Sequence, residues 1–250
     1  MGLKSNQKSG GYQARTYRNL LQDQSLVSFQ VTVKETDLYI KASRNLQKPA
    51  HDSVIRYRYQ LERYISIHPE FFRSLTPLAT DGLAPSIVRE MIGASQRAGV
   101  GPMAAVAGAM AEFVGRDLLP ESPEIIVENG GDIFIHSPRD LKVGIYASNS
   151  PLSFRVGLRV PAANHGWGVC TSSGTVGPSL SFGRADAVCI LAPSASLADA
   201  AATAVGNLVA SPADLPEGLE KAKSIEGIAG VVIIIGEKLG AWGEVELIKL

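Results

Sequence analysis

Apolar residues recur at two different periods along this chain, and the switches between them mark its elements. "LVSFQVTV" and "DLYIKAS" are β-rich runs separated by the polar "KETD", which predicts a hairpin. "HDSVIRYRYQLERYISIHPEF" instead places Val54, Tyr57, Leu61, Tyr64 and His68 at steps of three and four. That is one helical stripe, ending where His68 meets Pro69. A second helix fits "APSIVREMIGASQRAGVG", with Pro85 in its first turn, Ile87 and Met91 on its apolar face and Gly99 at the C-terminal left-handed position. A third, "PMAAVAGAMAEFVGRDLLP", carries Ala104, Gly108, Ala111 and Gly115 at steps of four, three and four. Such a bare face lets another backbone or a ligand come close, and Pro120 stops the helix.

Strand patterns follow: "EIIVEN", "DIFIHS", "KVGIYA", "SFRVGLRV", "WGVCTS" and "DAVCILA", each bounded by Gly, Asn, Pro or Ser. Next come the alanine-rich helix "SLADAAATAVGNLV", a short polar helix near "LPEGLEKAKSI", and two closing strands, "VVIIIG" and "EVELIKL". Hairpins and helices come in blocks without regular βαβ alternation, which favours an α+β fold with largely antiparallel sheets flanked by helices. The polar, glycine-containing first 15 residues are expected to form a flexible tail, with order starting near Thr16. No repeat or linker is evident, so residues 1–250 are expected to form a single domain.

Composition narrows the partners. The chain is 45% hydrophobic and 19% charged, and its 24 basic residues balance 24 acidic ones. It therefore lacks the basic excess that gathers nucleic acid or acidic lipid. Cys170 and Cys189 have no C-x-x-C spacing, and "MGLKSNQKSGGYQ" has no apolar leader core, so a reduced, cytoplasmic location is expected. The most apolar run, "GIAGVVIIIG", is half the length needed to cross a bilayer and reads as a buried strand.

Three stretches could carry chemistry. Asp199 and Thr203 stand at i and i+4 in the alanine-rich helix, so a carboxylate and a hydroxyl share one face and could grip a hard cation. Equally, Ser196 with Asp199 three residues on resembles a capping box, and Thr203 could bond back to the carbonyl of residue 199. "ENGGDIFIHS" is a tight turn whose glycines supply positive φ, with Asp132 at its mouth. "TSSGTVGPSLSFG" is dense in hydroxyls and open amides, suited either to phosphate oxygens or to a plain surface loop. His51, His68, His136 and His165 are too scattered for a metal signature. No G-x-S-x-G, Walker A or complete G-x-G-x-x-G occurs, which disfavours serine hydrolases, P-loop enzymes and Rossmann dehydrogenases.

Taken in order, "AAVAGAMAEFVG", "IIVENGGDIFI", "CTSSG" and "AVCILAPSASLADAAATAV" resemble the successive motifs of the ApbE superfamily of flavin transferases, over roughly residues 85–250. The chain is most similar to a prokaryotic branch of shorter members without a signal peptide. The resemblance implies two related T-fold-like halves with FAD or FMN and Mg²⁺ between them. By the same resemblance Asp199 and Thr203 bind the metal together with a backbone carbonyl at Ala104. Gly130, Gly131 and Asp132 match its glycine turn, and Ser172, Ser173 and Gly174 its T-S-G segment near the flavin.

The chain also departs from that pattern. Gly101 and Ala107 stand where the superfamily has a nucleotide-binding aspartate and, six residues on, a lysine or acid; "GPSLSFGRADA" replaces its histidine-bearing loop over the phosphates. The resemblance thus implies a small phosphorylated ligand and either FMN transfer or FAD pyrophosphate cleavage. The alternative is a flavin- or heterocycle-binding module that keeps the fold without the chemistry. A homodimer is an expectation by analogy with T-fold sheet edges.

Overall fold

The computed structural model describes residues 26–174 and 183–250; the expected tail at 1–15 and most of the "TSSGTVGPSLSFG" loop lie outside them. The first hairpin forms as the pattern predicts, β1 (Val27–Val33) against β2 (Thr36–Ala42), with Lys34 at φ 52° in the turn. Helix α1 (Gln47–Ile67) buries Val54, Tyr57 and Leu61, and His68 caps it before the short α2 (Pro69–Arg73). Helix α3 (Ser86–Ala98) ends at Gly99, which adopts the left-handed φ of 81°. The predicted third helix is split: a 3-10 turn (Pro102–Ala105) precedes α4 (Val106–Leu118).

Strands β3 (Ile125–Asn129), β4 (Asp132–Ser137), β5 (Leu141–Gly144), β6 (Val156–Val160), β7 (Ala163–Ser172) and β8 (Ala187–Ala192) follow. The alanine-rich helix is α5 (Ala195–Gly206), and α6 (Leu215–Ser224) the polar one. Three strands close the described chain rather than the two expected: β9 (Gly230–Ile235), β10 (Lys238–Gly243) and β11 (Glu246–Lys249). The extra one, "KLGAWG", holds two glycines and an alanine, so it shows little of the alternation that signals a strand.

One antiparallel sheet of eight strands runs in the order β1-β2-β3-β4-β7-β8-β9-β10, and a second has the order β11-β6-β5. The order carries a repeat that the sequence hides. Two strands, a helical crossover and two strands make β1 to β4; the same plan makes β7 to β10, with β5 and β6 inserted between. The halves join where β4 pairs with β7. Alternating residues face opposite sides. Leu38, Ile40, Val127, Phe134, Ile190 and Ile233 pack under the helices. Ile126, Ile135, Val169, Leu191, Val232 and Ile234 pack on Val143 and Leu158 of the small sheet. Strand β9 is covered on both faces, which explains its unbroken apolar run. Among the described residues no single helix is long and apolar enough to cross a membrane.

Glycines let the layers touch. A Cβ on Gly108 of α4 would sit 2.1 Å from the Ala195 carbonyl oxygen, and one on Gly168 of β7 would sit 2.4 Å from Ala195 Cα. The small-residue face of α4 therefore serves close approach of another backbone, that of α5. Gly168→Ala should lower unfolding free energy by about 2 kcal/mol or more, because the added methyl meets main chain. Gly93→Ala in α3, where a Cβ meets nothing within 4 Å, should instead raise it by about 0.5–1 kcal/mol. Urea unfolding of the two variants checks this; equal midpoints would contradict the packing described.

Candidate functional site

Two aspartates, Asp132 from the first half and Asp199 from the second, stand where the halves meet. The β3–β4 turn uses Gly130 at φ 71° and Gly131 at φ 110°, the double positive φ that closes a two-residue hairpin and sets Asp132 at the head of β4. The Gly131 amide donates to Glu128 Oε1 at 3.0 Å, so this turn amide is held by the chain's own side chain. Asp132 lies opposite Cys170 in the β4–β7 register. The Cys170 thiol, fully buried, donates to the carbonyl of Ala195 at 3.3 Å.

Asp199 reaches the same place from α5. Ser194, not Ser196, caps that helix, its hydroxyl accepting from the Leu197 amide at 3.2 Å. The expected Ser196–Asp199 capping box is therefore corrected: the first turn of α5 holds no acid, and Asp199 turns outward from its own helix start. Its Oδ2 accepts from the Gly108 amide at 2.9 Å, in the first turn of α4, whose N-cap residue, Ala105, offers no side-chain bond. Asp199 thus caps a neighbouring helix in place of a local residue. In return α4 supplies Glu112, whose Oε2 accepts from the Ser196 amide at 3.1 Å and from the Ser194 and Ser196 hydroxyls at 3.0 and 3.2 Å. The Asn129 side chain, at the edge of the glycine turn, donates to the Ala107 carbonyl at 3.1 Å.

Burial dominates the electrostatics. It pushes Asp199 up from 3.8 to about 7, against the pull of the Gly108 and Ala107 amides. Asp132 is raised well above 3.8 by burial and then by the charge of Asp199. Burial, followed by the two aspartates, also holds the Cys170 thiol in its protonated form.

The predicted site residues are therefore partly gathered. Asp132 is raised by burial and then by the charge of Asp199. Gly130 is exposed beside them, while the Gly131 amide is already engaged. Thr203 is half-buried one turn further along α5. Ser172 lies beyond it, its Oγ 3.6 Å from where a Cβ on Gly206 would begin. The Gly174 amide donates to the Ala185 carbonyl at 3.0 Å where the chain enters residues 175–182, and Ser173 is half-buried. Ala104 sits in the 3-10 turn before α4 and is half-buried. Sequence reasoning missed Glu112, Glu128 and Cys170. Glu112 had a signal: it is the one acid in "AVAGAMAEFVG" and lies four residues after Gly108, on the helix face that packs inward.

A model of the family described as AbpE bacteria matches residues 18–239. A UPF0280 protein of Methanococcus aeolicus is 42% identical over 226 residues, covering 88% of this chain and 91% of that protein. Among solved structures, the apo form of the Pseudomonas stutzeri flavinyl transferase ApbE superposes with a TM-score of 0.54 at 17% identity, over 87% of this chain and 93% of that one. The ApbE protein of Thermotoga maritima gives 0.56 at 12% identity, over 88% and 97%. At such identities the likeness to the solved proteins is one of fold. The chain belongs to the AbpE bacteria family and has the fold of the ApbE flavin transferases.

Proposed function

We propose that the junction of the halves is a Mg²⁺-assisted site for a flavin nucleotide or a related phosphorylated ligand. The observation that carries the reading is the half-buried pair Asp132 and Asp199, one from each half, each held above the ordinary carboxylate range. Two buried carboxylates that raise one another's pKa are stabilised in their ionised forms by a cation. The donors suit magnesium: carboxylates, the Thr203 hydroxyl and a carbonyl at Ala104 are hard oxygens, whereas the Cys170 thiol stays protonated. Among the described residues no group of three His, Cys, Asp or Glu side chains could hold a metal ion, so the ion would depend on water and ligand oxygens for the rest of its shell. When bound, the ion would bridge phosphate oxygens and neutralise charge that develops on them.

Asp199 is oriented for this role by the Gly108 amide, which donates to its Oδ2. The solved Vibrio cholerae and Pseudomonas stutzeri relatives of this fold are flavin transferases, which supports a flavin as ligand. The reaction is then cleavage of the FAD pyrophosphate: AMP leaves, and FMN goes to water or to a hydroxyl of an acceptor. Ser172, Ser173, Gly174, Gly130 and Asp132 would line the ligand.

A second reading, a flavin-binding module without chemistry, is favoured by the amides already in use. The first turns of α4 and α5 offer the ligand little, because Asp199 and Glu112 occupy amides there. Gly101 adds to this: a Cβ there would lie 1.8 Å from the Ser74 carbonyl oxygen, so no charged side chain fits.

Three outcomes are expected. The protein with Mg²⁺ and FAD should release FMN and AMP, and Asp199→Ala should slow this about 100-fold or more, followed by chromatography. Unaltered turnover in that variant would refute the metal role, and flavin bound but intact would select the module. The pH profile is a second check. Without metal, the unfolded chain gives up the Asp199 proton near 3.8 while the folded chain keeps it to about 7, so stability is full at low pH and falls across that window. Asp199→Asn should remove on the order of 3 kcal/mol of that decline in urea unfolding between pH 4 and 8; an unchanged slope would contradict the raised value. Finally, Mg²⁺ alone should raise the melting temperature at pH 8 and have little effect at pH 5, since protons and cation compete for the same oxygens.

A further inference from the structure

We propose that Glu112 is a positioning residue that sets the ligand-bearing face of α5, a role that deepens the metal reading above and rests on it for its consequence. Glu112 is 1% exposed, an unusual place for a carboxylate. Its contacts account for the placement. Oε2 takes the Ser196 amide and the hydroxyls of Ser194 and Ser196, while Arg116 holds Oε1. The Ser194 hydroxyl also lies 3.2 Å from Glu90 Oε1 on α3, so α5 begins against acids from two helices. An anion there meets the positive end of the α5 dipole and satisfies an amide left without a partner in its own helix.

What this placement governs follows from helical geometry. Ser196, Asp199 and Thr203 stand at i, i+3 and i+7, so they share one face, and a grip on Ser196 fixes the rotation of the other two. Glu112 bonds to the start of α5 and not to Asp199, so it acts through the helix. Asp199 then closes the circle by taking the Gly108 amide, four residues before Glu112 on the same helix.

The test reads the Gly108 amide by nuclear magnetic resonance in the metal-free protein, since a proton given to a carboxylate resonates downfield. Glu112→Ala should move that resonance upfield. Glu112→Gln, which keeps an acceptor, should hold it near its wild-type position, and so should Leu158→Ala, which opens a cavity in the small-sheet core without touching α4 or α5. Should Glu112→Ala fail to fold, the double variant Ser194→Ala with Ser196→Ala removes two of the donors and should give a smaller shift in the same direction. A wild-type Gly108 resonance in folded Glu112→Ala, or in the double variant, overturns the proposal. Titration with Mg²⁺ alone separates the two claims: Glu112→Ala should weaken the midpoint about 10-fold or more. A wild-type protein that does not respond to Mg²⁺ sinks the metal reading, while the Gly108 resonance still decides the positioning role.

Discussion

Two helices each lend the other a carboxylate. Asp199 of α5 takes an amide in the first turn of α4, and Glu112 of α4 takes one in the first turn of α5. The exchange is feasible because Gly108 has no side chain between its backbone and Ala195. It also crosses the seam of the fold, since α4 closes the helical layer of the first half and α5 opens that of the second. An ordinary cap comes from the adjacent residue and would tie neither half to the other; these caps make the first turn of each helix depend on the other half.

That arrangement explains how Asp199 can sit at the seam with no ion pair to a basic side chain among the described residues. A bond from a main-chain amide stabilises the charged form of Asp199, but burial outweighs it, and the balance leaves the carboxyl near neutrality. Asp132 is raised by burial and then by the charge of its neighbour. Asp199, on α5 and bonded to α4, is thus the group at the seam whose proton is held to about pH 7. At Gly101 the packing of the Ser74 main chain leaves no room for a side chain.

Much of the fold was legible because its signals are local. The stripe of α1, the left-handed stop at Gly99, the double glycine turn and the twice-covered β9 each follow from the period or conformational demand of a few adjacent residues. What escaped depends on distant partners. Asp199 looked like a cap for its own helix because the amide it actually takes is 91 residues away. The 3-10 turn before α4 begins at Pro102 after Gly101, with no side-chain cap to mark it off from plain helix; β10 carries too few large side chains to alternate visibly. The repeat of strand, strand, helices, strand, strand is one of topology. Of the site, the aspartate at the glycine turn and the aspartate–threonine pair were visible as motifs, but their meeting is a property of the sheet.

The claim that the two caps act as one device is tested most directly by a double-mutant cycle in unfolding free energy. Asp199→Ala and Glu112→Ala would be measured singly and together in urea at pH 6. The account predicts that the double variant loses about 1 kcal/mol less than the sum of the single losses, because either change alone already loosens both helix starts. Losses that add within about 0.3 kcal/mol would mean that each carboxylate caps its helix independently, and the coupling across the seam would not exist.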